Sequence, residues 1–208
     1  MGNENNALCS IKEVYNYSYD DRLQIDDLKN RRLYLAGDVD EFGISDIVYY
    51  IMYFNRIDKG IPTNERKPII LYINSPGGDV VDGYGVIDAI TCSDTPIYTV
   101  NLALCASMGL LIFIAGAKRY AMPHSEFLMH DGSMMGYDST AKMKDRMEFE
   151  TIQIENMTKK YIMSRTNISE ELYNTKYRCE WYFLPEEGKR IGAVDYIIGK
   201  DCKLDEIV

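Results

Sequence analysis

At 208 residues, with 46 % hydrophobic and 26 % charged residues, the chain is long enough for one substantial core and too apolar to remain disordered. A net charge of −9 with no cluster of Lys and Arg argues against nucleic acid as a partner. The five cysteines, Cys9, Cys92, Cys105, Cys179 and Cys202, lack CxxC spacing, which suits free thiols in a reducing cytoplasm better than disulfides or a zinc site.

Residues 1 to about 30 are polar and irregular, with Tyr15, Tyr17 and Tyr19, and read as an N-terminal arm, mobile, pore-lining or packed on a neighbour. MGNENNALCS has neither a basic region nor an apolar run, so no signal or transit peptide is read there. Residues 31–200 read as one domain and 201–208 as a C-terminal tail. Arg32 to Ala36 is the first predicted strand, ending at a Gly37-Asp38 turn. Ile44, Ile47, Val48, Ile51 and Phe54 then follow helical spacing to Arg56, with Ser45 or Asp46 near the start, and Asp58 to Pro68 reads as a surface loop.

Ile69 to Ile73 is a second buried strand, broken by Asn74-Ser75-Pro76-Gly77-Gly78 before a helix marked by Val80, Tyr84, Ile87 and Thr91. A glycine pair at such a junction lets the backbone approach a ligand and aim N–H groups at an anion, although an ordinary turn needs the same residues. Ile97 to Leu102 is a third strand, expected to turn through Ala103 to Ala106 into an apolar helix beginning at Ser107. Tyr98 to Ala117 is long enough to be scored as a membrane span. A buried strand followed by a buried helix has the same hydropathy, and no membrane role is read.

Two short strands follow, Arg119 to Met122 and Glu126 to His130, and then a flexible glycine-containing stretch from Asp131 to Asp138. Ser139 opens a long helix to about Arg165, with Met143, Met147, Ile154, Met157 and Tyr161 on a stripe suited to core or subunit interface. Asn167 and Glu170 form a capping box for a shorter helix, Glu180 to Leu184 is a last strand, and Pro185 starts a helix closed by Gly192. This alternation predicts an α/β fold of repeated βαβ units on a largely parallel sheet. Gly77-Gly78 and Ser107 then share the strand ends at which such sheets bind ligands.

A serine at a strand-to-helix junction is either a helix cap or a nucleophile placed beside free N–H groups. A nucleophile needs a base, and the chain holds two histidines. His124 follows Pro123 in a turn, whereas His130 ends a strand, which makes His130 the better general base. Residue types alone do not choose a third member from 32 acidic residues.

INSPGGDVVDGYGVIDAI, ALCASMGLLIFIAGAKRYAMP and EFLMH, in this order, resemble the Clp protease proteolytic subunit family, and PEEGKRIGAVD is similar to its closing helix and turn. The resemblance runs from about Arg32 to Ile198. It implies a ClpP/crotonase-like α/β fold with a protruding long helix, a serine endopeptidase acting on unfolded proteins and peptides, and no metal or organic cofactor. It further implies Ser107 as nucleophile, His130 as base, Glu180 in the place of the family's aspartate, and the Gly78 and Met108 N–H groups as oxyanion hole. The family also implies a homo-oligomer of two stacked heptameric rings and an AAA+ unfoldase docking near Tyr72, beside Ile70 where the family has an aromatic residue. Departures are Asp131-Gly132 after the histidine and Arg178-Cys179 before Glu180. Two other readings compete: a catalytically silent ring subunit acting as scaffold or regulator, and an acyl-CoA enzyme of the crotonase type.

Overall fold

The structure, a computed structural model, describes residues 19–132, 138–176 and 178–207. Most of the expected N-terminal arm and most of the Asp131 to Asp138 stretch lie outside them. Within them, helix α1 (Tyr19–Lys29) leads into strand β1 (Arg32–Val39) through Arg31, a non-glycine residue at φ 61°.

Strands β2 (Ile69–Gly78), β3 (Ile97–Ala106), β4 (Lys118–Ala121) and β7 (Tyr196–Ile197) continue the sheet in the order β1-β2-β3-β4-β7, every neighbour parallel. Strand β5 (Glu126–Met129) pairs parallel with β3, and β6 (Trp181–Phe183) pairs antiparallel with β5. Helices α2 (Glu41–Ile57), α3 (Val80–Thr91) and α4 (Met108–Ile114) follow β1, β2 and β3. The alternation read from the sequence is therefore present as three successive βα units.

Alternation along β2 explains its continuous hydrophobicity. Ile69, Leu71 and Ile73 enter the main core with Val86, Ile112 and Phe113, while Ile70 and Tyr72 pack with Val100, Tyr120, Ile198 and Ile207. Both faces are covered, so neither has polar residues to alternate with. Among the described residues, no helix is long and apolar enough to cross a membrane.

The first three strands outrun their apolar segments. β1 passes the expected Gly37-Asp38 stop through an irregularity and reaches Val39. β2 passes Asn74 and runs to Gly78, and β3 runs straight through the residues expected to turn. β3 achieves this by changing partner: it pairs with β4 up to Asn101 and with β5 from Leu104. Buried backbone N–H and C=O groups need hydrogen bonds whatever their side chains, and neighbouring strands supply them.

Helix α2 starts at Glu41, ahead of Ile44, because the Asp40 carboxylate accepts from Phe42 N and Gly43 N at 3.1 and 2.7 Å. Helix α7 (Glu170–Lys176) is capped by Ser169 Oγ, which accepts from Leu172 N at 3.2 Å, and not by Asn167. The long helix is divided into α5 (Thr140–Phe149), a π turn (Glu150–Ile154) and α6 (Glu155–Arg165). Its methionine stripe is not core: Met143, Met147 and Met157 are exposed, and the residue it buries is Ile162. Helix α8 (Pro185–Arg190) follows β6.

Candidate active site

Ser107 stands alone between β3 and α4, at φ 52° and ψ −123°. This is the left-handed side of backbone space, costly for a residue with a Cβ and concentrated at functional sites. Its hydroxyl makes no capping hydrogen bond, so the cap reading fails. The backbone holds it instead: Ser107 N donates to Leu128 O at 3.0 Å, and Ser107 O accepts from Leu110 N and Leu111 N at 3.0 and 3.2 Å. Strand β5 thus fixes the residue through its main chain, without a hydrogen bond from the Ser107 hydroxyl among the described residues.

The end of β2 closes against this turn. A Cβ on Gly77, at φ 100°, would come within 2.6 Å of Ser107 Cβ and 3.0 Å of Met108 N, and one on Gly78 within 2.3 Å of Val39 O. Only glycine permits both approaches, which is the physical content of the Gly-Gly pair. Gly78, Ser107, Met108 and His130 line one cavity of about 560 Å³, whose far wall is the π turn and adjoining helix through Glu150, Thr151, Ile154 and Thr158.

His130 and Glu180 meet through strand register. Phe127 pairs with Phe183, Leu128 with Tyr182 and Met129 with Trp181, so the next antiparallel rung sets His130 opposite Glu180. Their side chains form a hydrogen bond, His130 Nδ1 to Glu180 Oε1 at 3.2 Å. His130 Nε2 is buried with no hydrogen-bond partner among the described residues. Nδ1–H donating to the carboxylate leaves Nε2 as the acceptor, the tautomer a general base requires. Ser107 Oγ makes no hydrogen bond to it among the described residues. Glu180 is 59 % exposed and also lies against the Tyr182 phenol, whose pKa its charge raises. Asp131 is exposed and forms no ion pair with His130, and His124 sits exposed between β4 and β5.

Tyr72 lies away from this cavity, on the sheet face opposite the helices. It is 6 % exposed, with its ring stacked on Tyr34 at 5.0 Å, and Tyr34 is 49 % exposed. Behind the site, Arg165 donates to three carbonyl oxygens at the end of α4, and Tyr84 OH on α3 pairs with Thr158 Oγ1 on α6 at 2.7 Å. The four described cysteines are free thiols; Cys105 is buried, which pushes its thiol pKa well up.

Residues 17–201 match the profile of the Clp protease family. The chain is 32 % identical to the ATP-dependent Clp protease proteolytic subunit 1 of Frankia casuarinae, over 87 % of this chain and 83 % of that protein. It is 29 % identical to the ATP-dependent Clp protease proteolytic subunit of Marchantia polymorpha, over 89 % and 85 %. With subunit 1 of Bacillus cereus the identity is 27 %, over 83 % and 87 %.

Proposed function

The chain belongs to the Clp protease family, and from that premise we propose that it is a serine endopeptidase, the proteolytic subunit of an ATP-dependent Clp-type protease. Ser107 Oγ adds to the scissile carbonyl carbon while His130 Nε2 takes its proton. Glu180 holds Nδ1–H, fixing the tautomer and stabilising the imidazolium. The N–H groups of Gly78 and Met108 receive the oxyanion. Collapse of the tetrahedral intermediate breaks the C–N bond, and His130 returns the proton to the departing amine. Water then attacks the acyl-enzyme by the same route and frees Ser107.

One observation carries this reading: a strained serine shares a cavity with an imidazole whose Nδ1 is engaged by a carboxylate and whose Nε2 is buried and, among the described residues, unpaired. Incubation with a fluorophosphonate probe tests it. The wild-type chain is labelled and Ser107→Ala is not. An assembled, folded sample that resists labelling overturns the reading and leaves a ring subunit without chemistry.

The family works as ring-shaped oligomers with Clp ATPases, and we read this chain as a subunit of two stacked heptamers in the cytoplasm, where free thiols persist. Exposed Phe42, Tyr49 and Met52 on α2 and Val81 on α3 supply apolar surface for neighbouring subunits. Docking of an unfoldase near Tyr72 would be exercised through Tyr34, stacked over it and presented to solvent.

A further inference from the structure

Helix α4 has seven residues, from Met108 to Ile114, and is followed by Ala115 and Gly116, all buried. The last carbonyls of a helix have no partner within it, and burial removes water as a substitute. Side chains from elsewhere satisfy them here. Arg165 Nε donates to Ile114 O at 2.9 Å, and Arg165 Nη2 donates to Ala115 O at 2.9 Å and Gly116 O at 2.8 Å. Thr99 Oγ1 donates to Phe113 O at 2.7 Å and Tyr161 OH to Leu111 O at 2.9 Å. Two of these three residues belong to α6, and a guanidinium at the carbonyl end of a helix is also favourable to its dipole.

Arg165 is itself held. Arg119 Nη1 donates to Arg165 O at 2.7 Å, while Asp195 fixes Arg119 by accepting from its Nε, Nη2 and backbone N at 3.0, 2.6 and 2.9 Å. At the opposite end of α4 stands Ser107 in its strained conformation, which persists only where the surroundings over-determine it. Two turns of helix, about 10 Å, separate the two ends and are too short to absorb a displacement by bending.

We propose that Arg165 is a positioning residue for peptide cleavage: its guanidinium anchors the carbonyl end of α4, thereby holding Ser107 in attacking geometry. This rests on Ser107 being the nucleophile. The chain of hydrogen bonds from Asp195 through Arg119 and Arg165 reaches α4 unbroken, and removing the guanidinium takes the donor from three carbonyls at the end of the helix that carries Ser107 at its start.

The test uses the full chain carrying Arg165→Gln, Arg165→Lys or Tyr161→Phe, with fluorophosphonate labelling rate, peptide kcat and KM, and thermal unfolding measured on each. Arg165→Gln is expected to lower labelling rate and kcat together by about 100-fold with KM unchanged, the size associated with misplacing a reacting group by about 1 Å. Arg165→Lys should recover part of that loss, because one ammonium keeps the charge but not the planar fork. Tyr161→Phe removes a single donor and should slow labelling several-fold; with Arg165→Lys it decides the matter if Arg165→Gln does not fold. Variants that unfold earlier yet label at the wild-type rate overturn the proposal alone. A wild-type chain that is never labelled overturns it together with the nucleophile assignment.

Discussion

Ser107 adopts a backbone conformation that disfavours any residue with a Cβ, and it can do so because Gly77 beside it has none. Gly77→Ala forces a contact of 2.6 Å onto Ser107 Cβ. The expected outcome is a stability loss of about 1–3 kcal/mol in denaturant unfolding, together with a fall in peptidase activity. Glu180 is defined by its partner: Glu180→Ala should reduce peptide turnover by about 100-fold or more, whereas Asp138→Ala should leave it unchanged. Equal effects in a peptide assay would show the wrong carboxylate had been chosen. Ser107 and His130 were legible as residue types because hydroxyl nucleophiles need an imidazole and only two are present. Glu180 follows only from the family resemblance, since nothing local separates it from 31 other acids. What distinguishes it is the β5–β6 register, a relation between segments 50 residues apart.

The elements were legible in kind and less so in extent. Periodicity marks where apolar faces recur, and on that basis β1, α2, β2, α3 and β3 were found in order. It is blind to main-chain pairing, so it ends β1, β2 and β3 too soon. The residues it misses are Gly37 to Val39, Asn74 to Gly78 and Ala103 to Ala106, and of these Gly78 lines the cavity. Helix α2 shows the same logic at its start. Asp40→Ala should lower stability by about 1 kcal/mol, read as a shifted urea midpoint, without altering the labelling rate of the folded chain. The long helix left a choice open between core and subunit interface, for another reason. A methionine stripe specifies that something apolar will cover it, and not whether the cover is this chain or another copy.

At the scale of the molecule, a buried polar network joins the turn before β1 to the loops after α2 and before β3. Arg31 Nη1 and Nη2 each donate to an Asp58 carboxylate oxygen at 2.6 Å, and Thr95 Oγ1 donates to Asp58 Oδ2 at 2.9 Å. The Arg31 hydrogen bonds hold the Asp58 carboxyl below its ordinary range against the opposing effect of burial. A carboxylate whose folded pKa is depressed stabilises above its unfolded value, about 4, and that contribution is lost as pH falls through the folded value. Thermal unfolding from pH 7 downward should therefore show a decline beginning near pH 4 that is shallower in Asp58→Asn. That variant should also be less stable at pH 7 by about 2–3 kcal/mol, because Arg31 is left part-buried without its counter-ion. Native mass spectrometry should find fourteen chain masses in one particle; a stable monomer would remove the ring from the reading.

Residue order and chemistry were enough for the βα alternation, the apolar run into Ser107, the Gly-Gly pair and the choice of His130 over His124 as the proposed base. Each of these is a local consequence of periodicity or residue chemistry. The tertiary structure alone decided that β3 changes partner to support the serine turn, that Glu180 faces His130, and that Arg165 reaches back to satisfy the carbonyls of α4. Those facts depend on how distant backbones pair and which buried polar groups are left in need of a partner, and no window along the chain contains both members of such a pair.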